Sequence, residues 1–184
     1  MMSKLEASAV SVNFLIENLL NWVLNQKQAL VANLQPFYIS KLIDKTLKEV
    51  EAQSKSKGLS IQVYGFKANL ELNSDEMMLG LVIRNLLSNA IKFSFNNAEI
   101  IISYKEDISG HHVVIKDFGV GMSTELLQRV SSGMKETQEG TSHEKGTGLG
   151  LELSREFLKA IGGSLVIKSE KGKGTEIDIV LPLN

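Results

Sequence analysis

Asn85, Asn89 and Lys92 recur at spacings of four and three along Arg84-Asn85-Leu86-Leu87-Ser88-Asn89-Ala90-Ile91-Lys92-Phe93. At about 100° per residue they share one narrow helical stripe, with Leu79, Ile83, Leu86, Leu87 and Ala90 facing away toward a core. Two carboxamide oxygens one turn apart, with an ammonium beside them, can hold a hydrated Mg²⁺ and a phosphate chain. Magnesium suits such a pair because it keeps several waters and takes few protein ligands. The same stripe is also what an ordinary solvated helix face looks like.

A second group is Asp117-Phe118-Gly119-Val120-Gly121, directly after the apolar run Val113-Val114-Ile115. A buried carboxylate at a strand end can accept a hydrogen bond from the exocyclic amine of adenine. Guanine presents a carbonyl there, so acceptor would face acceptor. The glycines let backbone approach a purine without a Cβ in the way. The letters D-F-G do not mark a Ser/Thr/Tyr-kinase magnesium loop, because no H-R-D or V-A-I-K segment precedes them. A dinucleotide fingerprint fails at Thr124, where its third glycine should stand.

The third group, Gly146-Thr147-Gly148-Leu149-Gly150, opens an amphipathic run containing Leu151, Leu153, Phe157 and Leu158. Glycines and unpaired N–H groups at a helix start form an anion site. No G-x-x-x-x-G-K-[ST] occurs, so this is not a Walker A loop. Gly172-Lys173-Gly174-Thr175 alone reads as a hairpin turn.

The elements that must position these groups follow from periodicity. Residues 1–30 carry a heptad seam of Leu5, Ala9, Val12, Ile16, Leu19 and Val23, widened by Leu15 and Trp22, which asks for a helical partner in preference to folding back on its own domain. A flexible stretch containing Pro36 is expected next, then a helix over 40–56 stopped by Gly58. Strands are expected at 59–64 and 69–72, and a helix capped by Asp75 runs to Phe93. Strands at 98–105 and 111–117, a short helix at 123–130, a helix at 149–161, and strands at 164–169 and 174–181 complete the series. His111 and His112 read as turn residues. Interspersed helices and hairpins imply an α/β (α+β) domain: a mixed sheet with helices on one face.

Composition narrows the function classes. The 184 residues carry 20 Lys+Arg against 21 Asp+Glu, a formal net charge of −1, which argues against a nucleic-acid binder. No cysteine is present, excluding disulfides, thiolate nucleophiles and cysteine-held zinc, and fitting a reducing compartment. No apolar run approaches the roughly 18 residues that cross a bilayer. The expected location is cytoplasmic, without membrane contact by this stretch.

N-L-L-S-N-A-I-K-F-S, D-F-G-V-G, G-T-G-L-G-L and G-K-G-T, in this order, resemble the N box and three glycine boxes of sensor histidine kinases. These belong to the ATPase superfamily shared with gyrase, heat-shock chaperones and mismatch-repair proteins. The resemblance covers about residues 37–182 and implies a Bergerat-type two-layer sandwich, preceded by a coiled-coil-like helix. It implies ATP and Mg²⁺ as ligands: Asn89 as principal metal ligand with Asn85 supporting, Lys92 on phosphate, and Phe93 lining the cleft. Asp117 would bind adenine with Gly119 and Gly121. Gly146, Thr147, Gly148, Leu149 and Gly150 would wrap the phosphates, and Thr175 would lie near the base. Hydrolysing members of the superfamily carry a glutamate where Asn85 stands. Asparagine cannot act as a general base, which favours phosphoryl transfer to a protein histidine over hydrolysis.

The sequence departs from the family in two places. The phenylalanine motif expected between Met122 and Gly146 is replaced by Val130-Ser131-Ser132-Gly133-Met134-Lys135, while Lys145 reads equally as a γ-phosphate contact or a solvated lysine. No acceptor-histidine box exists, since His143-Glu144 lies in the lid. Residues 1–32 therefore resemble the second helix of a dimerisation and phosphotransfer hairpin, and 37–184 the catalytic domain. The expected partners are that bundle, homodimeric in the parent protein, and a response-regulator receiver domain. The chain alone is not expected to autophosphorylate. Rival readings are an anti-sigma-type serine kinase and a non-enzymatic, nucleotide-dependent binding module.

Overall fold

A computed structural model describes residues 31–134, 136, 138–142, 144 and 148–183. The chain divides into two units, Met1–Val31 and Ala32–Asn184. The expected heptad helix over residues 1–30 lies outside the described residues.

The second unit runs β1 (Gln35–Tyr38), α1 (Ile39–Ser56), β2 (Ser60–Tyr64), β3 (Glu71–Ser74), α2 (Glu76–Phe93), β4 (Glu99–Asp107), β5 (Gly110–Asp117), α3 (Thr124–Ser131), α4 (Gly150–Ala160), β6 (Ser164–Glu170) and β7 (Gly174–Leu181). Five strands form a mixed sheet in the order β2-β4-β5-β7-β6, with β2 parallel to β4 and every other pair antiparallel. A two-residue period decides its faces. Ile100, Ile102, Val113, Ile115, Ile177 and Ile179 are buried, whereas Ile101, Val114, Lys116, Glu176, Asp178 and Val180 between them stay partly exposed. On the open face Glu176 pairs with Lys116 at 3.7 Å and Lys168 at 3.6 Å.

The buried face is covered by helices. Leu42, Ile43 and Val50 of α1, Leu79, Ile83, Leu86 and Leu87 of α2, and Leu153, Phe157 and Leu158 of α4 turn inward. Each fully buried aliphatic side chain contributes about 1.5–3 kcal/mol. The mixed sheet with helices on one face is therefore the architecture expected from sequence.

Two details differ from the sequence-based expectations. The stretch around Pro36 is not flexible: β1 pairs antiparallel with β3, setting Pro36 opposite Asn73 and Phe37 opposite Leu72. Proline is tolerated there because a two-stranded ribbon has only edges. The partner strand consequently occupies Glu71–Ser74 rather than 69–72. His111 and His112 lie in the strand expected from 111 to 117, opposite Leu181 and Val180, and not in the turn also read for them. Buried His112 sets Nδ1 2.9 Å from Asp178 and Nε2 2.9 Å from Ser109 Oγ, and these polar partners let the imidazole sit inside a β ladder.

Candidate nucleotide site

Helix α2 is the spine of the site. Asp75 caps it by accepting the Met78 N–H at 2.9 Å, and its apolar stripe locks it against the sheet. Asn89, Lys92 and Phe93 are half-buried and Asn85 is buried.

Asn85 meets the start of α4. Its Nδ2 donates to Ser154 Oγ at 2.9 Å, and that hydroxyl donates to the Gly150 carbonyl at 2.9 Å. A Cβ at position 150 would meet Asn85 Oδ1, so a side chain there would displace the Asn85 amide. The amide nitrogen thus faces Ser154 and the oxygen faces the glycine loop. Gly148 and Leu149 are half-buried at the head of α4, and Gly148 takes φ 71°. Gly146, Thr147, His143 and Lys145 lie outside the described residues.

The other end of α2 carries the D-F-G-V-G loop. Val120 donates to the Phe93 carbonyl at 3.1 Å, and a Cβ on Gly119 would strike that same oxygen. Asp117 is buried at the end of β5, where Oδ1 accepts the Gly119 N–H at 2.9 Å and the Thr175 N–H at 3.2 Å. Burial pushes its pKa up to about 6, against the two N–H bonds, which lower it. Ser169 completes this end. It accepts the Met122 N–H, donates to the Gly174 carbonyl, and lies 2.9 Å from Thr175 Oγ1. Gly121 packs against the Glu170 and Gly174 carbonyls. The structure therefore gathers Asn85, Phe93, Asp117, Gly119, Gly121, Gly150 and Thr175 along one helix and the two loops seated on it.

The ammonium of Lys92 lies above the Phe93 ring, 4.8 Å from its centroid, and donates to the Gln138 carbonyl at 2.7 Å. Desolvation lowers its pKa despite Glu144 and Glu139 nearby. Ser154 and Ser169 escaped sequence reading. For the first, a signal was present but unread: a serine at i+4 from a helix-opening glycine, among Leu153, Phe157 and Leu158; the second had none.

Among the described residues no group of three or more His, Cys, Asp or Glu could hold a metal. Amide oxygens such as those of Asn85 and Asn89 fit Mg²⁺ only if phosphate oxygens and water complete its shell.

Residues 74–184 match the family described as histidine kinase-, DNA gyrase B- and HSP90-like ATPases. The chain belongs to that family, in its sensor histidine kinase branch. It is 30% identical over 185 residues to the hybrid signal transduction histidine kinase B of Dictyostelium discoideum, covering 94% of this chain and 9% of that protein. Over 141 residues it is 30% identical to the histidine protein kinase DivJ of Caulobacter vibrioides, covering 77% and 24%. With the sensor protein SrrB of Staphylococcus aureus it shares 31% over 172 residues, covering 93% and 29%. The chain thus spans under a third of each of these relatives.

Solved structures agree on the fold. The Acinetobacter baumannii histidine kinase AdeS superposes with TM-score 0.74 at 21% identity, covering all of this chain and 84% of AdeS. Full-length ShkA in complex with AMPPNP gives 0.76 at 22% identity, covering 98% of this chain and 37% of ShkA.

Proposed function

We propose that residues 37–184 bind Mg·ATP and present its γ-phosphoryl group to a histidine on a helical bundle, of which residues 1–32 supply part. The observation that carries this reading is the buried carboxylate of Asp117. Two main-chain N–H groups fix its Oδ1, and the loop it introduces rests on the last turn of the helix bearing Asn89 and Lys92. One acceptor for a purine amine and one amide pair for a hydrated cation are thereby spaced along one rigid element. In this reading Asn89 is the principal Mg²⁺ ligand, Asn85 supports it, Lys92 meets phosphate, and residues 146–150 wrap the phosphates.

Magnesium, once bound with the nucleotide, neutralises phosphate charge. The chain's own residues position the donor, which is most of what phosphoryl transfer requires. Asn85 offers no proton acceptor of the strength needed to activate water, which suits transfer to a protein over hydrolysis. The partners in this reading are the bundle of a homodimeric parent and, after transfer, a response-regulator receiver domain. The setting would be cytoplasmic; among the described residues no helix is long and apolar enough to cross a membrane.

The test is calorimetry with Mg·ADP and Mg·GDP, followed by incubation of the chain with radiolabelled ATP and a separate histidine-bearing bundle. Adenine preference and label on the bundle histidine are expected. Equal affinity for both purines, or label on a serine, would overturn the reading.

A further inference from the structure

Lys57, one residue beyond α1, has only 6% of its side chain exposed. A buried ammonium is costly unless every N–H finds an acceptor. Here Nζ donates to the carbonyls of Ile91 at 2.9 Å and Lys92 at 2.8 Å and to Thr141 Oγ1 at 2.7 Å, with Glu144 Oε1 at 2.9 Å. The two carbonyls belong to the last turn of α2, where oxygens lack helical partners and the helix dipole is negative. The main chain of Lys57 is fixed as well, its N–H on the Ser54 carbonyl and its own carbonyl accepting Asn97.

The other two acceptors belong to the segment that leads into the glycine loop. Thr141 donates its N–H to the Lys92 carbonyl at 3.1 Å and its hydroxyl to the Ser94 carbonyl at 2.6 Å. Glu144 closes a small turn, accepting the Ser142 N–H at 2.8 Å on Oε2 and the Gly140 N–H at 2.9 Å on its carbonyl. Its carboxyl pKa is lowered although burial opposes this, with the hydrogen bond from Lys57 the foremost lowering cause.

From this geometry we infer that Lys57 is a positioning residue for the nucleotide: a fixed post that ties Thr141 and Glu144 to the end of α2. The main chain at Thr141, five residues ahead of the glycine motif in sequence, is thereby held on Lys92. The inference rests on the ATP-binding reading. Lys57 acts through Thr141 and Glu144, not by touching nucleotide, so it governs polyphosphate affinity and leaves the base pocket around Asp117 untouched.

Lys57→Met, Lys57→Arg and Glu144→Gln in the full chain test this. Affinities for adenosine and Mg·ATP are measured by calorimetry, and exchange of the Thr141 amide by hydrogen exchange without nucleotide. Lys57→Met and Glu144→Gln are expected to weaken Mg·ATP about tenfold, the scale of one charge-assisted hydrogen bond, with adenosine unchanged within about twofold. The Thr141 amide should exchange faster in both, and Lys57→Arg should restore part of each effect. Unchanged Mg·ATP affinity, or equal losses for adenosine and Mg·ATP in Glu144→Gln, would overturn the inference. If wild type binds no nucleotide, the ATP reading falls, and Thr141 exchange that does not change in the variants then refutes the post by itself.

Discussion

Thr175 donates its main-chain N–H to Asp117 Oδ1 at 3.2 Å, across a ladder in which the two residues stand opposite each other. The β5–β7 register therefore fixes the carboxylate before any ligand arrives. Its replacement should be felt in base recognition. Asp117→Ala is expected to lower Mg·ADP affinity about ten- to a hundredfold, because an unpaired purine amine costs about 1–3 kcal/mol. Titration calorimetry on both proteins checks this, and a variant matching wild type would remove Asp117 from the site.

Acidity gives a second prediction. The Asp117 carboxyl is raised from 3.8 to about 6 by burial. Between those values the folded chain holds a proton that the unfolded chain has released, so stability falls as pH rises through this window. The full effect is on the order of 3 kcal/mol. Asp117→Asn should remove it, with melting temperatures of the two proteins separating between about pH 4 and 6 and the variant the more stable at pH 7. Adenine binding by wild type should weaken below about pH 6, as the acceptor becomes protonated. Parallel melting curves across that range would refute the assignment.

Ser154 supports a third. Ser154→Ala leaves the Asn85 amide nitrogen buried without this acceptor, at an expected cost of about 1–3 kcal/mol. In a double-mutant cycle with Asn85→Ala, the combined loss should fall well short of the sum. Strict additivity in urea denaturation would show that the contact carries no energy.

A fourth concerns backbone approach. Gly119→Ala drives a methyl group into the Phe93 carbonyl, the same oxygen that accepts Val120. The loop must lift from α2, so nucleotide affinity is expected to drop about tenfold or more, with a stability loss of about 1–3 kcal/mol. Full binding by Gly119→Ala would show that the loop does not need its seat on α2.

Much of this was legible from residues alone. The stripe of Leu79, Ile83, Leu86 and Leu87 set the buried side of α2, and the Asp75 cap set its start, because both signals are local. Gly119 and Gly121 marked the turn after β5, and Gly172 the turn between β6 and β7. What escaped depends on contacts distant in the chain. Pro36 reads as a breaker until β3 supplies a partner edge. Lys57 reads as one more charge in a Lys- and Ser-rich helix end until residues 91, 92, 141 and 144 surround it. His112 needed Asp178, on a strand much later in the chain, to become a buried residue.

Asp75 has a second acceptor oxygen in use. While Oδ1 holds the first turn of α2, Oδ2 takes the Asn33 N–H at 2.9 Å, just ahead of β1. The main chain arriving at Asn33 is thus stapled to one tip of an 18-residue helix whose remaining turns carry Asn85, Asn89 and Lys92. Such a helix is a stiff rod of about 27 Å. Any shift of the main chain at Asn33 therefore bears on the same carboxylate that caps that rod.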